Sequence, residues 1–154
     1  MATSTLIQSL DTKDSAGVAV GSTPSNRRQL ETFIAGAAIS AGDWVSFDLT
    51  KSGAIRVVTV IKTTAAAGQA NVVGVALRSA ASGDKVDVVI EGYVEGAAVV
   101  SGVLKGESLT TSGITAGRTL KYNAATHTNT APCGVCLEDA AAGNTCAVWV
   151  YKQF

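Results

Sequence analysis

The residues of this chain best suited to chemistry are its three cysteines and its one histidine. Cys133 and Cys136 stand in "PCGVCLED", at the Cys-x-x-Cys spacing used by redox pairs and zinc knuckles. Cys146 follows in "GNTCAVWV", and His127 precedes them in "NAATHTNTAP". A redox pair needs a depressed thiol pKa, such as a helix N-terminus supplies, whereas the surrounding Val- and Gly-rich pattern is that of a strand. Residues three apart in a regular strand lie on opposite faces and about 10 Å apart, beyond the ~7 Å Cα separation that a disulfide spans. The three thiols with His127 would make a zinc ligand set by number, but "CGVC" sits inside a strand pattern and not on the tight turn of a knuckle. A Ser-His-Asp or Cys-His device would have to be built on His127, the only side chain with an ordinary pKa near neutrality. No carboxylate is near it in sequence, and it reads as a solvated loop histidine. Asp87 and Glu91 share a strand face, the ordinary place for outward charges, and phosphate-binding glycine loops are absent. The expectation is a chain that is not an enzyme and carries no metal or cofactor.

An internal repeat gives the cysteines a different role. "GVALRSAASGDKVDVVI" from Gly74 and "GVCLEDAAAGNTCAVWV" from Gly134 align without gaps. Cys133 then falls on Val73, Cys136 on Ala76 and Cys146 on Val86, so all three read as buried thiols behaving as small hydrophobes. A second pair of blocks, "AGDWVSFD" from Ala41 and "AGRTLKYN" from Ala116, places Val45 on Leu120 and Phe47 on Tyr122. The competing match of "AAISAGDWVSFDLTKSG" with "AAVVSGVLKGESLTTSG" sets Val45 against Lys105 and loses the alternation. The repeat units so drawn run from about 41 to 94 and from about 116 to 154.

These blocks must be positioned by strands. From Gln29 onward, segments rich in Val, Ile and Thr alternate with Gly and Ala turns, an all-β signature. In "VSFDL", Val45, Phe47 and Leu49 should face the core and Ser46 and Asp48 the solvent. In "KVDVVIEG", Val86, Val88 and Ile90 should face inward and Asp87 and Glu91 outward. Residues 1–33, loosest at "GSTPSNRR", read as an extended N-terminal arm, mobile or ordered on contact, and 34–154 as the β domain. Two copies are too few for a solenoid, so the units are expected to pack on each other as one compact β-barrel or sandwich.

Composition narrows the partners. Twelve Lys and Arg balance twelve Asp and Glu, without the basic excess of a nucleic-acid binder. No apolar run approaches the ~18 residues of a membrane helix, and the N-terminus lacks the pattern of a secretion signal. Neither nucleic acid nor membrane is an expected partner. Three cysteines do not indicate a disulfide framework, and a reducing cytosol suits them. The candidate contact residues are the basic pair Arg27 and Arg28, which also reads as an ordinary solvated pair, and an aromatic face. Trp149 and Tyr151 stand where the first copy has Val89 and Glu91, and Trp44 could join them. Such a face suits cover by the arm, by the other unit or by a neighbouring subunit, and it could also bind sugar rings.

Taken in order, "AGDWVSFD", "NVVGVALRSAASGDKVDVVIEGYV", "AGRTLKYN" and "CGVCLEDAAAGNTCAVWVY" resemble the small capsid decoration, or cement, proteins of tailed bacteriophages over roughly residues 35–154. The resemblance implies a compact, β-tulip-like fold, a homotrimer, and a place on the capsid exterior bound to the major capsid protein, after assembly in the host cytoplasm. It implies a structural role that stabilises the head, with the arm ordering on the capsid, and no catalytic residues. The alternative is a head-fibre or tail-fibre domain that binds host surface glycan through Trp44, Trp149 or Tyr151.

Overall fold

The computed structural model describes residues 28–100, 102–127, 130–140 and 145–153. They form nine strands: β1 (Arg28–Ala35), β2 (Trp44–Phe47), β3 (Thr59–Lys62), β4 (Val72–Ala76), β5 (Lys85–Ala98), β6 (Ser108–Thr111), β7 (Thr119–Lys121), β8 (Gly134–Cys136) and β9 (Thr145–Val150). A short 3-10 turn, Gly53–Val57, is the one helical element among the described residues. The all-β expectation holds, and its closed form is a five-stranded barrel. β1 pairs with β3, β3 with β2, β2 with β4, β4 with β5, and β5 returns to β1.

The remaining strands form a second ring. β5 is 14 residues long and outlasts the first barrel; its C-terminal half, from Gly92, pairs with β9. β9 continues to β8, β8 to β6 and β6 to β7, and β7 closes back through the parallel bridge of Thr119 with Val99. The chain is therefore two fused barrels that share β5.

The two are copies. Val75 opposite Val89 and Ala76 opposite Val88 recur as Val135 opposite Trp149 and Cys136 opposite Val148, the register that the repeat anticipates. The second pair of blocks is corrected. Ala76 donates to the Asp43 carbonyl and Cys136 to the Glu107 carbonyl, both at 2.9 Å. The Ser40 N–H donates to the Asp43 carboxylate and the Leu104 N–H to that of Glu107. Lys62 pairs with Asp43 as Lys121 does with Glu107. β2 is thus matched by β6, with Val45 on Leu109, and not by the segment after Ala116. That segment is β7, the counterpart of β3. The alternation that favoured Leu120 was a coincidence of two strands with similar patterns. The copies divide near Gly92, and the stretch between the two units as first drawn holds the end of β5 and all of β6.

Two further expectations change. Residues 28–33, read as the end of the arm, belong to β1, where Phe33 and Ala35 are buried; Leu30, Thr32 and Ile34 alternate with them outward. The rest of the arm, residues 1–27 with Arg27, lies outside the described residues. In "VSFDL", Ser46 and Asp48 are buried while Leu49 is 60% exposed, because β2 is covered on both sides and the strand ends at Phe47.

Each barrel holds one interior. Phe33, Ala35, Ile39, Val45, Val73, Ala76 and Val86 line the first; Ala97, Val99, Val103, Leu109, Cys133, Cys136 and Cys146 occupy the matching places in the second. All three cysteines stand in apolar core positions, as the repeat requires. Cys133 and Cys136 share this one core and are not on opposite faces. The reason is visible in the first copy, where Val45 pairs with Gly74 but Ser46 with Val72, leaving Val73 as an extra, bulged residue. The structure also pairs Cys136 with Cys146 as a disulfide across the β8–β9 hairpin, their Cα atoms 6.7 Å apart. This replaces the expectation of three free thiols. Only Cys133 is free.

Candidate functional site

Asp87 is engaged with neighbouring side chains, and Glu138, Asp139 and His127 hold the backbone. Thr32 Oγ1 donates to Asp87 at 2.7 Å, and Arg78 pairs with the same carboxylate. These contacts, the Thr32 hydrogen bond first, hold its pKa below the usual range against the opposing effect of burial. Glu138 accepts from the Ala147 N–H at 2.8 Å and Asp139 from the Lys105 N–H at 2.9 Å. His127 Nδ1 accepts from the Asn123 N–H at 3.0 Å, with its ring 5.6 Å from that of Tyr122. Burial raises the Cys133 thiol to about 12, and its Sγ donates to the Leu109 carbonyl. Among the described residues no three His, Cys, Asp or Glu side chains are grouped as metal ligands would be.

The surfaces carry more information than these groups. The barrels meet across a seam in which the first barrel presents Trp44, Val72, Val75 and Val89 to the core of the second. Its Gly42–Trp44 segment lies between two strands of the second barrel: Ala98 donates to the Gly42 carbonyl and the Trp44 N–H to the Gly117 carbonyl, both at 2.9 Å. Gly42 is required there, since a Cβ on it would stand 2.5 Å from the Gly96 carbonyl oxygen. Trp44 is the one aromatic of that second core among the described residues. Its Nε1 is buried without a hydrogen-bond partner, a cost of about 1–3 kcal/mol. Burying ~200 Å² of ring at ~25 cal/mol per Å² contributes about 5 kcal/mol, so burial wins.

This corrects the aromatic face. Trp44, expected beside Trp149 and Tyr151 on a surface, is fully buried and is available to neither a glycan nor a partner. Trp149 is half-buried on β9, opposite Tyr93 of β5 and Val135 of β8, and Tyr151 is 38% exposed. Burial, and then the charges of Glu95 and Glu138, raise the Tyr93 pKa. Arg28 opens β1, half-buried, with its Nε unpartnered.

A second surface escaped the sequence reading. Leu30 and Ile34 on β1, Leu49 after β2 and Val58 before β3 are 47%, 41%, 60% and 44% exposed. Ile34 and Val58 touch, the Ile34 N–H donating to the Val58 carbonyl at 2.8 Å. The alternation of Leu30, Thr32 and Ile34 is its signal, hidden because the boundary drawn at residue 33 puts Leu30 and Thr32 in the arm and only Ile34 in the β domain.

No family model and no curated protein matches the chain. In fold it is similar to the crystal structure of the head fibre gp8.5 N base of bacteriophage phi29, with a TM-score of 0.53 and 16% identity over 80% of this chain and 93% of that one.

Proposed function

We propose that this chain is a non-enzymatic structural protein of a phage virion, carried on the outside of the head. The observation that carries the reading is the likeness of its double barrel to a head-fibre base over nearly the whole of that chain. The resemblance of its motifs to capsid decoration proteins points to the same place. A rigid body with several weak contact surfaces suits such a role, because symmetry multiplies each contact. Within this reading the chain binds the major capsid protein as a homotrimer and reinforces the lattice, with neither nucleic acid nor membrane as partner.

A fibre base is the second form of the same proposal, favoured by the neighbour's identity as one. The glycan-binding form is weakened, since of its three aromatics Trp44 is inside the core, leaving Trp149 and Tyr151 for a sugar to stack on. The test is binding of the purified protein to mature phage heads, followed by electron microscopy. A saturable, symmetric array supports the proposal; no binding to heads that lack the protein refutes it. Density ending at the barrels marks a decoration protein, and density continuing outward into another chain marks a fibre base.

A further inference from the structure

We infer that the seam between the two barrels is repeated between chains, so that the second barrel of one molecule docks on the first barrel of another. The argument rests on the duplication. A seam between two copies uses two different faces, and each copy therefore owns one further face that the seam leaves unused. On the second barrel, the face used in the seam contains Val94, Ala98 and Gly117; the first barrel has Leu30, Ile34 and Val58 in those positions. Val94 and Ala98 are 2% and 8% exposed, whereas Leu30, Ile34 and Val58 are 47%, 41% and 44% exposed. On the first barrel, the face used in the seam contains Val75 and Val89, both fully buried. Their counterparts Val135 and Trp149 are half-exposed, and Leu137 beside them is 44% exposed.

At these positions both unused faces are thus apolar, while the place that Trp44 fills in the internal seam is held on the open face by Ser108. The occupant that fits each is the other, carried by a second copy of this chain. The contact is heterologous, and such a contact gives a closed ring or an open filament according to its rotation. In the seam Ala98 donates across to Gly42 and Trp44 to Gly117. Between chains the corresponding bonds run from Ile34 to the partner's Gly106 and from the partner's Ser108 to Val58. The present Ile34–Val58 bond is exchanged for them. The contact requires no capsid and stands or falls independently of the proposed function.

The seam also supplies a cross-link. A Cβ on Gly117 would lie 3.4 Å from that of Asp43, close to the spacing of a disulfide; the equivalent positions between chains are Val58 and Glu107. The double variant V58C/E107C, oxidised in dilute solution, should run as covalent multimers on a denaturing gel, with neither single variant doing so beyond the wild type. Native mass spectrometry should show a multimer for the wild type and single chains for Ile34→Glu and for Trp149→Glu, each with an unchanged circular dichroism spectrum. Mixing these two variants should restore one contact and give a two-chain species. A monomeric wild type, including one that assembles only after removal of residues 1–27, would overturn the inference, as would either variant remaining fully assembled or a V58C/E107C protein that never cross-links.

Discussion

The Cη2 atom of Trp44, on the first barrel, lies 3.0 Å from where a Cβ on Gly134 would stand in the second. The carbonyl oxygen of Trp149 closes the same space at 2.7 Å. Glycine at 134 is therefore set by the indole that crosses the seam and by the neighbouring strand. Gly134→Ala should cost about 1–3 kcal/mol by overpacking, and Trp44→Ala about 3–5 kcal/mol through the lost ring and the cavity left behind. Both are read as shifts of the denaturant midpoint. A neutral Gly134→Ala would mean that the barrels do not close on each other as described.

The thiols give a second prediction. In native protein at neutral pH a maleimide reagent should modify none of the three cysteines, because Cys133 is buried with its pKa pushed up to about 12 and the other two are paired. After unfolding without reductant one thiol should react; after unfolding with reductant, three. Opening the Cys136–Cys146 loop should cost about 2–3 kcal/mol. The double variant C136A/C146V, which installs the residues of the first copy, should still fold. Three reactive thiols in unreduced, unfolded protein would remove the disulfide.

Acid should weaken both barrels through Asp87 in the first and Glu107 in the second. The Asp87 carboxyl is held below its usual pKa chiefly by the Thr32 hydrogen bond and then by Arg78, and Glu107 by Lys121 and the Leu104 N–H. A carboxyl with a depressed folded pKa contributes stability that is complete above its unfolded pKa and is lost as pH falls through the folded one. The loss should begin below about pH 4. Thr32→Val should return the Asp87 titration, followed by carboxyl NMR, toward the ordinary value; an unchanged titration would show that Thr32 does not hold it.

The β class and the hairpin register were legible because Val75, Val89, Val135 and Trp149 sit in strands bounded by small-residue turns, and a hairpin is a local structure. Equating β2 with β6 was not legible, because Phe47 is matched by Thr111 and Trp44 by Ser108: the place that an indole fills across the seam in one copy is held by a small, half-buried serine in the other. The same asymmetry misplaced Trp44. An aromatic in a short strand signals burial or contact, and only the position of the second barrel decides which. The disulfide was missed because Cys136 and Cys146 meet diagonally across a hairpin, whereas the conspicuous Cys-x-x-Cys spacing pairs residues that a bulge brings into one core without bonding them.

The last prediction uses the copies against each other. Val89 and Trp149 hold the same place on β5 and β9, one inside the seam and one on the open face. Trp149→Val removes a half-exposed ring and should leave the stability of the isolated chain within about 1 kcal/mol, while reducing self-association. Val89→Trp forces the larger side chain into a closed contact and should cost about 1–3 kcal/mol or more by overpacking. Measured by urea unfolding below the concentration at which chains associate, the two exchanges should differ in cost although each only copies the residue of the sister barrel. Equal costs would mean that the two faces share one environment, and the distinction between a filled seam and an open one would be lost.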